Sequence, residues 1–300
     1  MGWQPDLPDG RDFTFRHPNI LPLLQRLQPV LEAIVPEQVD LRRDGDGKYF
    51  TDIDDQGSLH ASAAFAVLSM VEYFERRVLG HTYNGSALFL YQVTRHRIAK
   101  RMHPLWDAGA DIRTTLKVLT QVGVPPEEYW PYDTEHFGLD PNPFVHSLAK
   151  PPVGHRYFRI SELGNDGDCN WNNVRSFLAA GFPLVFGFSV PQSLSIDPDI
   201  PFRPDFDSIH GGQCAVAVGY QLNRYGPRQD ALLIRSSWGS EWGDHGNGWL
   251  PVSFLRHHLA RDFWTIIDED WLASTELTCP SIAQSNQWEA KSENRSASFP

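Results

Sequence analysis

The sequence predicts an α+β chain of two lobes. Two patterns and their order carry this reading. Apolar residues recur at helical spacing through the first half, over 62–79, 86–101 and 112–122. Short runs rich in Val, Ile and aromatic residues, bounded by Gly, Pro and Asp, fill the second half. Helices first and strands later argue against a wound parallel sheet. With 300 residues, 41% of them hydrophobic, the chain can bury a packed core.

Taken in order, the first forty residues are rich in Pro and Asp and hold one amphipathic stretch, 20–34, with leucines at helical spacing. Pro36 and the Asp44-Gly45-Asp46-Gly47 turn separate it from the helical half. Over 62–79, Phe65, Leu68, Val71, Tyr73, Phe74 and Val78 line a wide face, and Gly80 stands where a C-cap glycine would. The helix over 112–122 is ended by Gly123 and then Pro125-Pro126. One more helix, 172–180, leads into strands at 183–190, 214–222, 231–237 and 263–268. From Ala273 the chain is polar, serine-rich and aperiodic, which reads as a disordered tail. The expected division is a leader over 1–38, a mainly helical lobe over 39–150, a β-rich lobe over 151–272 and the tail over 273–300.

Charge and cysteines narrow the function classes. Lys+Arg is 26 against 37 Asp+Glu, a net charge of −11, so nucleic acid is not an expected partner. No apolar run reaches the roughly 18 residues of a membrane helix, so no membrane insertion is expected. The start, Met1-Gly2-Trp3-Gln4-Pro5-Asp6, lacks the basic and apolar regions of a signal peptide. Cys169, Cys214 and Cys279 are too few and too scattered for a disulfide framework, and no CxxC or HExxH occurs. The expectation is free thiols in a reducing cytoplasm, with no metal and no cofactor. Asp197, Asp199, Asp205 and Asp207 share one loop. That loop lacks the Gly and the offsets of an EF-hand, so it reads as a solvated rim.

One segment invites a chemical reading: Asp55-Gln56-Gly57-Ser58-Leu59-His60-Ala61-Ser62-Ala63-Ala64-Phe65. A polar turn runs straight into the N-terminus of a long apolar helix, which presents free N–H groups and the positive end of the helix dipole. A nucleophile there gains acidity, and an adjacent amide side chain could complete an oxyanion hole. Ser62 also reads simply as a helix N-cap.

The segment resembles the nucleophile region of papain-like (C1) cysteine peptidases, in the bacterial form that reads roughly DQGxLGSCTA. Gly2-Trp3…Pro5-Asp6-Leu7-Pro8-Asp9…Arg11-Asp12 resembles the leader of bacterial members, and Val39-Asp40-Leu41-Arg42 the VDLR ahead of the catalytic domain. Gly123-Val124…Tyr129-Trp130-Pro131-Tyr132-Asp133 is similar to GI…YPY. Gly211-Gly212…Ala215-Val216-Ala217-Val218-Gly219-Tyr220 is similar to GGHAVLAVGY, and Ile234-Arg235-Ser236-Ser237-Trp238-Gly239…Trp242-Gly243 to IKNSWGxxWG. The blocks keep the family order across residues 2–267. The resemblance implies a papain-like two-lobe fold, a helical lobe facing an antiparallel β-barrel-like lobe across a groove.

Carried over by position, the family's oxyanion-hole glutamine falls on Gln56 and its shielding tryptophan on Trp238, and both are present. The nucleophilic cysteine falls on Ser62, the general-base histidine on Gln213 and the orienting asparagine on Ser236. The glycine two before the nucleophile is His60. In the glycine pair that binds substrate backbone, Gly109 remains and Ala110 replaces the second member. Serine is a far weaker acid than a paired cysteine, and a glutamine cannot take a proton. Losing one member of such a unit costs on the order of 10⁴ to 10⁶ in rate. The expectation is a pseudopeptidase with no active catalytic residue, binding a protein or peptide partner in a groove lined by His60, Gly109, Ala110, His210, Trp238 and Trp242. Two alternatives stand beside it. One is a hydrolase or acyltransferase pairing Ser62 with His210 or His60 on a non-peptide substrate; the other is a structural component of an assembly. Cys214, beside Gln213 in a strand pattern, reads as a core thiol.

Overall fold

The computed structural model describes residues 2–7, 9–29, 35–47, 49–81, 84–98, 106–161, 167–273 and 277–279. In the leader, α1 (Leu21–Arg26) buries Leu23 and Leu24, and β1 (Gln28–Pro29) follows at once. The helix expected over 20–34 is therefore six residues long. Leu27 already turns extended, and Gln28 precedes a proline, a position that disfavours helix. Residues 30–34 lie outside the described residues.

The helical lobe is built on α2 (Ser62–Leu79), which is buried on nearly every side from Ser62 to Phe74. It stops where Gly80, at φ 73°, returns its N–H to the Arg76 carbonyl. A β-carbon would strain that left-handed cap. Beside it lie α3 (Ala87–Ile98) and α4 (Ile112–Gln121), the latter capped by the Asp111 side chain on the Thr114 N–H, and then the short α5 (Pro143–Leu148).

Seven strands form one antiparallel sheet: β2 (Gln38–Asp40), β3 (Arg156–Arg159), β4 (Leu184–Pro191), β5 (Ile209–Gln221), β6 (Ala231–Arg235), β7 (Asn247–Pro251) and β8 (Ala260–Ile267). Their order is β3-β8-β4-β5-β6-β7, with β2 added to β5. The sheet stays open, so the expected barrel-like closure is corrected to an open antiparallel sheet. Long β5 is its spine. β4 pairs with it from Ile209 to Ala217 and β2 from Gly219 to Gln221, while β6 takes the other edge. Residues 38–40, at the expected junction of leader and helical lobe, thus belong to this sheet. α6 (Gly167–Ala179) and α7 (Ser253–Arg256) pack on the β side.

Most of the expected strands match within a few residues. β5 begins five residues earlier than expected, and β3 and β7 were missed: Arg-Tyr-Phe-Arg and Asn-Gly-Trp-Leu-Pro carry no apolar run. The expected disordered tail is also corrected at its start. Leu277 is buried, and β9 (Thr278–Cys279) pairs in parallel with β1; residues 280–300 lie outside the described residues.

Candidate active-site groove

Ser62 is the first residue of α2, and the cap residue before it is Ala61, which makes no side-chain cap. Ser62 is therefore not the N-cap. Its hydroxyl accepts the Cys214 N–H at 3.2 Å, which ties the helix start to β5 beside Gln213. Across the junction Gln213 Nε2 donates to Gln56 Oε1 at 2.8 Å, and Ser237 Oγ donates to the same oxygen at 2.8 Å. Gln56 Nε2 donates to the Leu59 carbonyl at 2.8 Å, and its backbone accepts Tyr132 Oη at 2.7 Å. Gln56, Ser62, Gln213, Ser236 and Ser237 are all buried. The residues at the triad and oxyanion positions thus lie at one buried polar knot, centred on the Gln56–Gln213–Ser237 bonds with Ser62 and Ser236 at its edge.

Two polar atoms of the knot, Gln213 Oε1 and Ser236 Oγ, are buried without a partner among the described residues. Ser236 borders a cavity of about 10 Å³ shared with Asp54, Ser69 and Cys214. Burial raises the Asp54 carboxyl above the usual range and pushes the Cys214 thiol well up, so Cys214 is a protonated core thiol. Ser237, which bridges the two glutamines, was missed by sequence reasoning. Its only signal was its place inside the Ser-Ser-Trp-Gly run.

The two histidines sit elsewhere. His60 Nδ1 lies 2.7 Å from the Asp107 carbonyl, and the His60 N–H donates to the Asp107 carboxylate, itself hydrogen-bonded by Tyr91. His210 is exposed near the start of β5. Among the described residues neither imidazole hydrogen-bonds Ser62. Trp238 and Trp242 meet edge to face at 4.6 Å, and Trp242 Nε1 donates to the Ser195 carbonyl.

The groove is filled by the chain's own N-terminal segment, which sequence reasoning left open. The N–H groups of Gly2 and Trp3 donate to Gly212 O at 2.7 and 3.1 Å, Ala110 N donates to Gly2 O at 2.8 Å, and Gln4 N to Ala110 O at 3.1 Å. Trp3 bridges Ala110 in parallel, and Gln4 Nε2 reaches Ala108 O. The contacts are glycine-tight. A β-carbon at Gly187 would lie 2.0 Å from Trp3 Cε2, and one at Gly2 would lie 2.0 Å from His60 O. At Gly109, φ 77°, it would lie 1.9 Å from Gly2 O. Ala110, which stands where the family has a glycine, has its methyl buried, and its backbone pairs with residues 2–4.

A buried ion cluster holds the strap (residues 2–7 and 9–12) in place. Asp6 Oδ2 accepts Arg159 at 3.0 Å and Trp264 Nε1 at 2.8 Å, and the Asp6 N–H donates to Asp262. Arg159 also pairs with Asp262, and Arg113 with Asp12. Burial, then the neighbouring Asp262 and Asp111, push the Asp6 carboxyl up to about 8, against the opposing pull of Arg159 and Arg113. Among the described residues no group of three or more His, Cys, Asp or Glu could hold a metal ion.

No family model matches the chain. It is 30% identical over 220 residues to an uncharacterized peptidase C1-like protein, L477, of Acanthamoeba polyphaga mimivirus, over 71% of this chain and 68% of that protein. Among solved structures it is similar to xylellain, a cysteine protease from Xylella fastidiosa, with a TM-score of 0.67 and 27% identity over 89% of this chain and 95% of that one. Digestive procathepsin L 3 of the Tenebrio molitor larval midgut shares the fold, with a TM-score of 0.57 and 16% identity over 82% and 77% of the two chains. Sequence likeness, fold and the position of the groove agree: this chain belongs to the papain-like C1 cysteine peptidase family.

Proposed function

We propose that the chain is a pseudopeptidase that works by holding a protein or peptide segment in its groove, in a cytoplasmic setting. The observation that carries this reading is the set of side chains at the triad positions: Ser62, Gln213 and Ser236. A general base must stand within hydrogen-bond reach of the proton it takes. Here the Ser62 hydroxyl faces the Cys214 N–H, and the amide at 213 has no basic nitrogen. The groove keeps its means of binding: backbone groups of Ala110 and Gly212 pair with an extended segment, and Gly187 leaves room for an aromatic ring. Occupancy by residues 2–4 makes any outside segment a competitor of the strap.

Two assays on the full chain test it. Incubation with casein and with fluorogenic peptides should give no turnover, and Ser62→Ala should change nothing. Hydrolysis that disappears in Ser62→Ala would overturn the reading in favour of a serine nucleophile. In the second assay a fluorescent peptide with the sequence of residues 2–12 should bind the Trp3→Ala chain at least about tenfold tighter than wild type, because the strap loses its buried indole. Equal, negligible binding to both would count against the groove as a peptide site.

A further inference from the structure

The strap carries a burial pattern opposite to the usual one. Leu7 is 80% exposed, while the side chain of Asp6 beside it is fully buried. A carboxyl group is almost never buried without partners, so the place that receives Asp6 is a built socket and not general core. Its walls come from the sheet. Arg159 and Trp264 are partners in the β3–β8 ladder, with the guanidinium 4.6 Å over the indole. Asp262, also on β8, accepts Arg159 Nη1 at 3.0 Å. These three residues hold one another without the strap. Their two remaining donors, Arg159 Nη2 and Trp264 Nε1, meet on Asp6 Oδ2 at 3.0 and 2.8 Å. The Arg113 N–H, from α4, adds a longer bond to Oδ1 at 3.4 Å.

The charges around the socket decide which oxygen it prefers. Arg159 and Arg113 stand among Asp262, Asp111 and the strap's own Asp12, two cations against three carboxylates. Burial first, and repulsion from Asp262 and Asp111 next, push the Asp6 carboxyl up to about 8. Near pH 7 the occupant is therefore an acceptor oxygen without a full charge.

We propose that the groove selects partner segments with an aspartic acid or an asparagine three residues beyond the aromatic residue that replaces Trp3, its side-chain oxygen taking the place of Asp6 Oδ2 between Arg159 and Trp264. Such selection rests on the function proposed above, a segment held in the groove, and specifies the segment. An asparagine carbonyl offers the same acceptor with no proton to lose. A leucine of like size would leave both donors buried and unmet.

The test is fluorescence anisotropy with three labelled peptides of the sequence of residues 2–12, carrying Asp6, Asp6→Asn or Asp6→Leu, titrated with the full Trp3→Ala chain. Near pH 7 the Asn peptide should bind at least about tenfold tighter than the Leu peptide, the scale of a buried donor left unmet. Between pH 5 and 7.5 the Asp peptide should lose at least about tenfold against the Asn peptide, because the free acid gives up the proton that the bound one keeps. The ratio of two peptides on one chain cancels the titration of the chain's own groups. In the chain, Trp264→Phe keeps a ring and removes one donor, and should narrow the gap between the Asn and Leu peptides severalfold. A gap untouched by Trp264→Phe, equal binding of all three peptides, or an Asp-to-Asn ratio that ignores pH would each overturn the proposal and leave the groove a peptide site. Binding of none would overturn it together with the function it rests on.

Discussion

At position 213 a glutamine amide stands where the family places an imidazole, and its Nε2 is already donated to Gln56. Installing the family's triad here therefore takes more than one residue. The triple variant Ser62→Cys, Gln213→His, Ser236→Asn should still show no peptidase activity and no stoichiometric labelling by a peptide-based thiol probe, because residues 2–4 occupy the groove. Adding Trp3→Ala should bring labelling up. Strong labelling of the triple variant alone would mean that the strap leaves the groove by itself. Asp6 carries a second expectation, from its carboxyl raised to about 8 against an ordinary 3.8. The folded chain keeps a proton there that the unfolded chain gives up, so the stabilisation is full below about pH 4 and fades as pH rises to about 8. Relative to wild type, Asp6→Asn should gain stability from pH 4 to 8 and then level off. A gap that moves the other way in denaturant melts at several pH values would refute this. At this scale the triad positions were legible because each sits inside a distinctive run. Ser237 and Asp107 were not, because a bridging hydroxyl and a second-neighbour carboxylate leave no pattern in the chain.

Among the elements, the strap is the one whose role the sequence concealed. Its Gly-Trp start reads only as leader, and its meaning appears only opposite Gly187 and Gly212 on the sheet, where a β-carbon at Gly212 would lie 2.9 Å from Trp3 O. Gly187→Ala should push the indole out, since the added carbon would lie 2.0 Å from it. Overpacking of this kind costs about 1–3 kcal/mol, and hydrogen exchange should show the Trp3 and Gln4 amides losing protection. Retained protection would mean that the ring has room to shift. The long helix was read to the residue because its apolar face and its Gly80 cap coincide. The strands β3 and β7 escaped because each is held by its neighbours' ladders rather than by its own β-propensity.

Across the whole molecule, the leader is a structural part of both lobes. Trp3, Phe15, Ile20, Leu23, Leu24 and Leu27 are all buried, and burying each such side chain is worth about 1.5–3 kcal/mol. Removing residues 1–35 should thus lower the melting temperature by many degrees; an unchanged melt would show a loose appendage. The two-lobe layout was legible because helical and alternating periods fall in separate halves. The open sheet was not, because closure depends on the pairing of distant edges, which no local run encodes. The strap's covalent attachment has a last consequence, in the arithmetic of competition. A tethered ligand faces its site at an effective concentration in the millimolar range. An outside segment sees only the fraction of molecules whose groove is open, and its apparent dissociation constant is the intrinsic one divided by that fraction. If one molecule in a hundred is open, a partner of roughly 100 nM intrinsic affinity registers as roughly 10 µM. On the function proposed above, such a groove answers to abundant or multivalent partners and ignores stray peptides, a threshold set by residues 2–4.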